Sequence, residues 1–276
     1  MKTLKIFFAG LVCAFSACSS DDTTTINELD GLVLAREMYN DQHVVEIYTG
    51  TGQFTQGHNT VSVRIHNIEN QQYINNAQIS WLPVMHMATM DHSCPFTAPV
   101  KLTANSILYS GSIIFQMAGN DVENWSLKID YSIDGSTYSV EEDIDVLPSE
   151  LRTVNSFLGS DGSKYVVALV EPKEPAVAQN NMVAAVYKME SMMNYVPVSG
   201  YTLKIDPRMP GMGNHGSPNN LDLTASGAFY SGTLSLTMTG LWKINLILLA
   251  PDGTVIKGEP VTESNLQSSI FFELEF

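Results

Sequence analysis

Basic residues are scarce in this sequence. The 276 residues include 14 lysines and arginines against 29 acidic residues, which gives a formal net charge of −15. Nucleic-acid phosphates and anionic lipid head groups attract positively charged surfaces. The composition therefore excludes nucleic acid as an expected partner, and it favours the accumulation of cations, including metal ions.

Long apolar runs are missing except near the start of the chain. Lys2 and Lys5 precede one apolar segment, residues 6–15, which is too short to cross a bilayer as a helix. A basic start, a short apolar stretch and a small-residue exit indicate a secretory signal. An ordinary cleaved signal peptide is one interpretation of this segment.

The exit from this segment resembles a bacterial lipobox, Phe15-Ser16-Ala17-Cys18. The resemblance implies a lipoprotein signal peptide over residues 1–17 and lipidation of Cys18, which anchors the chain to the membrane. The following residues, Ser19-Ser20-Asp21-Asp22, resemble outer-membrane sorting and surface-export signals of Bacteroidetes lipoproteins. The implied location is the outer membrane, on either its periplasmic or its cell-surface face.

Cysteine is also rare. Of the three cysteines, Cys13 would leave with the signal peptide and Cys18 would be acylated, so Cys94 has no partner for an intramolecular disulfide. A lone thiol outside the cytoplasm is either buried and inert or kept reduced by a bound ligand. Cys94 follows His92 by two residues, a spacing that suits a shared ligand, so this interpretation stays open beside the buried thiol.

Helical periodicity is nearly absent, and only residues 32–39 could be helix or strand. Residues 18–30 are polar and predict a flexible, lipidated tether. Beyond the tether, short alternating segments are separated by Gly, Asn, Asp and Pro, which predicts an all-β fold. The predicted strands are 44–48, 61–66, 77–82, 107–117, 125–133 and 136–144, and then 166–170, 182–189, 201–205, 228–238, 242–249 and 270–276.

The two sets of strands resemble each other in sequence. Corresponding segments lie 117 to 124 residues apart, and they comprise Gly57–Val61 with Gln179–Val183, Pro83–Met85 with Pro207–Met209, Tyr109–Gly111 with Tyr230–Gly232, and Trp125 with Trp242. This spacing is about the length of one β-sandwich. We therefore expect two tandem immunoglobulin-like β-sandwich domains, residues 31–148 and 149–276.

Each copy carries a methionine and histidine cluster just after a predicted strand. The candidate metal ligands are Met85, His86, Met87, Met90, His92 and Cys94 in the first copy, and Met209, Met212 and His215 in the second. Thioether, imidazole and thiol groups favour a soft ion such as Cu(I). Ligation by Cys94 and both first-copy histidines would instead suit Zn(II). In a third interpretation, the methionines only pack against the end of the sandwich.

The second copy, roughly residues 160–276, resembles the YtkA-like domain family, whose immunoglobulin-like modules are related to FixH-type proteins. The resemblance rests on Met209-Pro210-Gly211-Met212, His215, Tyr230-Ser231-Gly232 and the Gly240-Leu241-Trp242 segment. The first copy resembles it more distantly and lacks the Met-Pro step. Membership implies the sandwich fold, an envelope location and a link to copper handling.

Three functions are compatible with these features. The first is a lipid-anchored protein that sequesters Cu(I) or exchanges it with a metal-donor or acceptor protein. The second is a surface binding or adhesion module without a metal role. The third is an accessory protein for cytochrome oxidase assembly, suggested by analogy with FixH. We expect no enzymatic activity, because no Ser-His-Asp set occurs in a nucleophile-elbow context.

Overall fold

The computed structural model describes residues 27–276, in which the chain forms strands and a single 3-10 turn. The all-β prediction is confirmed. We call the strands before residue 150 the N-terminal half. They are β1 (Val33–Tyr39), β2 (His43–Thr49), β3 (Phe54–Thr55), β4 (Gly57–Asn67), β5 (Gln78–His86), β6 (Asp91–His92), β7 (Val100–Lys101), β8 (Tyr109–Phe115), β9 (Asn124–Ile133), β10 (Ser136–Ile144) and β11 (Val146–Leu147).

The remaining strands form the C-terminal half. They are β12 (Val154–Leu158), β13 (Lys164–Glu171), β14 (Gln179–Ser191), β15 (Asn194–Pro197), β16 (Thr202–Met209), β17 (His215–Gly216), β18 (Leu221–Ser226), β19 (Phe229–Ser235), β20 (Trp242–Leu249), β21 (Val255–Lys257) and β22 (Phe271–Leu274). The ambiguous segment, residues 32–39, is strand β1, which pairs antiparallel with β2.

The order of strands in the sheets repeats between the halves. In the N-terminal half, one sheet has the order β1-β2-β4-β8-β7 and another the order β10-β9-β5-β6, while β3 and β11 form a short parallel pair. The C-terminal half reproduces these orders as β12-β13-β14-β19-β18 and β21-β20-β16-β17. There, β18 also pairs with β16, which joins all the strands into one hydrogen-bonded sheet.

Each half buries its own apolar core. The first core combines residues of β2, β4 and β8 with residues of β5, β9 and β10, and the second combines the corresponding strands. The tryptophans have equivalent places, since Trp125 Nε1 donates to the Met117 carbonyl (3.1 Å) and Trp242 Nε1 to the Met238 carbonyl (2.9 Å). Each strand turns every second side chain towards the core between the sheets, which explains why apolar and polar residues alternate in the sequence.

The strand register corrects one detail of the internal alignment. Val63 pairs with Tyr109, and Ala184 pairs with Tyr230, so the offset of these strands is 121 residues. Asn59 therefore corresponds to Asn180 and not, as the sequence pattern suggested, to Asn181. The hydrogen bonds support this correspondence, because the side-chain amide of each asparagine bonds to the backbone of the residue four positions earlier.

The repeated Tyr-Ser-Gly segment has a steric cause. A Cβ atom added to Gly111 would lie 2.8 Å from the Thr97 carbonyl oxygen, and one added to Gly232 would lie 2.5 Å from the Leu221 carbonyl oxygen. A neighbouring stretch of backbone crosses each glycine too closely for any larger residue. The glycine thus allows the same close approach in both halves.

The halves contact each other directly. Ile114 of β8 joins a small apolar cluster whose other buried members come from the C-terminal half: Val154, Val166, Ala168, Ala185 and Tyr187. Gln116 Nε2 donates to the Tyr195 hydroxyl (2.8 Å), and the Ser93 amide donates to the Met192 carbonyl (2.8 Å). The junction therefore lies beside the segment that follows β6.

Candidate metal centre

The first methionine and histidine cluster forms a β-hairpin. In the β5–β6 pairing, Met85 lies opposite His92 and His86 lies opposite Asp91. At the tip, the Met87 amide donates to the Met90 carbonyl (3.1 Å). The sequence pattern placed this cluster after the strand, and the structure corrects that placement, since the strand pairing continues into the cluster.

The hairpin register sorts these side chains onto two faces. Successive residues of a strand point to opposite faces, and directly paired residues share a face. Met85 and His92 therefore share the inner face. Met87 packs against the N-terminal core, and Met90 lies at the exposed tip. The outer face carries His86 and its partner Asp91.

Two of the predicted sulfur ligands belong to the core. Met85 has no exposed surface, and it pairs with Trp125 of β9. Cys94 is a free cysteine with 1% of its surface exposed, and burial raises the pKa of its thiol well above the ordinary value. A buried, protonated thiol is neither a good nucleophile nor a ready ligand. Both side chains therefore act as packing residues in the structure.

His92 has one ring nitrogen free for a ligand. Its Nδ1 lies 2.8 Å from the Ser93 carbonyl oxygen, which can only accept, so Nδ1 carries the proton. In the neutral ring, Nε2 then presents its lone pair, as in metal-binding histidines whose other nitrogen donates to a carbonyl. The ring packs edge-on against Trp125, with 5.7 Å between the centroids, and this contact limits its rotation.

Met90, at the tip of the hairpin, is 51% exposed, and Met87 and His92 are partly buried. An unbranched thioether side chain adapts its position at little cost. Met87, Met90 and His92 together offer two sulfurs and one nitrogen near the end of the hairpin. Of the predicted first-copy set, these three keep some exposed surface and, within the described residues, leave a sulfur or nitrogen atom without a hydrogen-bond partner.

His86 is engaged on both ring nitrogens. Nδ1 lies 3.2 Å from Asp91 Oδ1, and Nε2 lies 2.9 Å from Ser126 Oγ. Sequence reasoning missed this Asp91-His86-Ser126 relay, because strand pairing alone brings Ser126 beside His86. Ser126 is only 3% exposed, and its hydroxyl also lies 3.4 Å from Glu141 Oε1. These partners hold His86 on the outer face, opposite to that of His92.

The second cluster has the same arrangement at its base. Met209 of β16 lies opposite His215 of β17, as Met85 lies opposite His92. Met209 is buried in the C-terminal core, with 5% of its surface exposed. Pro210–Met212 form the 3-10 turn, which ends at Gly213 in the left-handed conformation. Met212, 58% exposed, and His215 remain accessible.

No group of three or more His, Cys, Asp or Glu residues suited to a metal ion occurs within residues 27–276.

Comparison with known proteins adds no relatives: no family model matches the chain, and no curated protein is significantly similar to it. Among residues 27–276, no helix has the length and apolar character needed to span a bilayer. The signal peptide, Cys18 and most of the predicted tether lie outside the described residues.

Proposed function

We propose that this chain is an envelope lipoprotein that binds Cu(I) through its methionine and histidine hairpins. The principal site comprises Met87, Met90 and His92, and a smaller site comprises Met212 and His215. The observation that supports this proposal is the β5–β6 hairpin, which brings Met87, Met90 and His92 together near its end and leaves Nε2 of His92 available, since Nδ1 donates to the Ser93 carbonyl.

Cu(I) suits these ligands for two reasons. Its filled d shell imposes no strict geometry, so it accepts two or three soft ligands on a flexible hairpin tip. The ligands are also neutral, and the negative net charge of the protein favours the approach of a cation. Met85, His86, Cys94 and Met209 are left out of the proposed ligand set because each is buried or already hydrogen-bonded.

For the fold, we propose two immunoglobulin-like domains, residues 31–148 and 149–276, of the YtkA-like type. Constant-type immunoglobulin sheets have the strand orders ABED and CFG. The order β2-β4-β8-β7 facing β5-β9-β10 corresponds to these, and β13-β14-β19-β18 with β16-β20-β21 repeats them. In this assignment, each metal cluster follows the C strand, at the same end of both domains.

We also propose that Cys18 is lipidated and holds the protein on the outer membrane, where it exchanges Cu(I) with a donor or acceptor protein. A Cys18→Ala variant should move from the membrane fraction to the soluble fraction while retaining Cu(I) binding. Membrane retention of the variant would count against the anchor and would leave the metal site unaffected.

The metal proposal is tested by anaerobic Cu(I) titration of the mature protein against a competing chelator. The triple variant Met87→Leu, Met90→Leu, His92→Ala should lose the tighter of the two sites. Met38→Leu is the matched control, because Met38 is a fully buried methionine of the same half and leucine nearly conserves its volume. Absence of saturable Cu(I) binding, or equal binding by the triple variant, would refute the proposal.

A binding module without a metal role is the second candidate. An open groove of about 640 Å³ lies on the β5-β9-β10 sheet, and its polar lining includes Gln78, Ser80, Asp130, Ser132 and Ser139. Amide, hydroxyl and carboxylate groups of this kind can hydrogen-bond sugar hydroxyls. Glycan binding that is lost in an Asp130→Ala variant, by a protein that binds no Cu(I), would support this function.

A further inference from the structure

The tip of the hairpin between β14 and β15 carries two more methionines and contacts the segment that follows His92. Its tip is Met192-Met193, between Ser191 of β14 and Asn194 of β15. From the sequence, this pair is expected to lie in a turn and to make a dimer or domain contact. In the structure, the Met192 carbonyl accepts a hydrogen bond from the Ser93 amide (2.8 Å). Ser93 directly follows His92, so the tip lies next to the proposed imidazole ligand.

Further contacts hold this tip in place. Tyr195, two residues after the tip, receives a hydrogen bond from Gln116 Nε2 (2.8 Å). Tyr187, on the strand leading to the tip, packs in the apolar cluster that contains Ile114. The hairpin is thus fixed to the N-terminal half by a backbone hydrogen bond, a side-chain hydrogen bond and apolar packing.

The exposure of the two methionines is unusual for a turn. Met193 is 41% exposed, and Met192 is only partly buried. A thioether in a turn gains little from burial and offers no hydrogen bond of ordinary strength, so turn chemistry does not explain two consecutive methionines. A soft metal ion beside them does, because Cu(I) accepts up to four such ligands.

We infer, resting on the proposed function, that Met192 and Met193 supply thioether ligands to the Cu(I) site of Met87, Met90 and His92. The site then spans both halves of the chain, and the metal cross-links the β5–β6 hairpin to the β14–β15 hairpin. Binding Cu(I) therefore stiffens the junction between the halves as well as the tip of the first hairpin.

The test compares three variants by anaerobic Cu(I) titration: Met192→Leu with Met193→Leu, the triple variant of the first hairpin, and Met189→Leu. Met189 is a methionine of the same β14–β15 hairpin, paired with Tyr195 and away from the tip, and it serves as the matched control. We expect the tip variant to bind Cu(I) at least about tenfold more weakly, since even outer-shell changes alter metal affinity by this much. Met189→Leu should bind like the native protein.

The outcomes separate the inference from the proposed function. Native affinity in the tip variant, with binding lost in the triple variant, overturns the inference and leaves the proposed function standing. Absence of Cu(I) binding by the native protein overturns both. If the tip variant does not fold, Met193→Leu alone replaces it, because its side chain is exposed.

Hydrogen exchange supplies a readout that is independent of affinity. On Cu(I) addition, amides of residues 189–195 in the native protein should exchange more slowly, together with those of residues 86–93. Protection confined to residues 86–93 would contradict a site shared between the halves.

Discussion

Substitutions at Met85 separate core packing from metal binding in the β5–β6 hairpin. Met85 is fully buried and lies opposite Trp125. Met85→Ala removes three heavy atoms and leaves a cavity, which should cost about 2–5 kcal/mol of unfolding free energy. Met85→Leu nearly conserves the volume, so its cost should stay below about 1.5 kcal/mol.

Urea denaturation of the metal-free protein, followed by tryptophan fluorescence, measures this difference. With a slope of about 2 kcal/mol per molar urea, a loss of about 3 kcal/mol lowers the midpoint of the N-terminal transition by roughly 1.5 M. The slope should not change, because the unfolded surface is the same. His92→Ala should show the opposite combination, with a modest loss of stability and a large loss of Cu(I) affinity.

Cu(I) titration of the same variants completes the comparison. Met85→Leu should bind Cu(I) like the native protein, since its thioether faces the core. Lost Cu(I) binding at unchanged stability would identify Met85 as a ligand and refute the assignment made from burial. An unchanged urea midpoint for Met85→Ala would refute the core position itself.

Three further predictions concern the titratable groups of the fold. Arg64 forms an ion pair with Glu46, and their side chains are 16% and 9% exposed. Arg64→Ala should lower the free energy of unfolding, measured in urea, by about 3–5 kcal/mol, because it leaves the buried Glu46 carboxylate without its ion-pair partner. The exposed Lys128–Asp130 pair is the control: Lys128→Ala should cost less than about 1 kcal/mol, and equal costs would contradict the argument. Burial lowers the pKa of His58 to about 4, helped by the charge of Lys173, so only the unfolded chain binds a proton there as the pH falls below about 6.5. The free energy of unfolding should therefore fall by about 2 kcal/mol between pH 7 and pH 5. In His58→Gln this loss should disappear, whereas an identical pH profile of the variant would exclude His58 as its source. The Cys94 thiol should resist a thiol reagent until the protein unfolds, because it is buried and protonated; rapid modification of the native protein would show that the thiol is accessible.

Local patterns predicted the strands well where alternation is long. The strands predicted at residues 136–144 and 242–249 have these bounds in the structure. Alternation marks them because one face of each strand meets the core. Strands β6 and β17 have two residues each, too few to show any period, so the sequence offered no sign that the strand pairing continues into the methionine and histidine clusters.

Composition and pattern alone determined that the chain is acidic and built of β-strands, and that methionine and histidine recur at equivalent places in its two halves. These are properties of neighbouring residues and of spacing along the chain. Tertiary structure decided which sulfur atoms are accessible. Strand register turns Met85 into the core and His86 towards Ser126, while Met87, Met90 and His92 keep exposed surface near the end of the hairpin.

The contacts between the two halves join residues that are far apart in sequence, so the sequence did not predict them. Ser93 and Met192 are far apart in sequence, and they meet only because β8 packs against strands of the C-terminal half. No local signal encodes such a meeting, since it depends on how two separately formed cores are placed against each other.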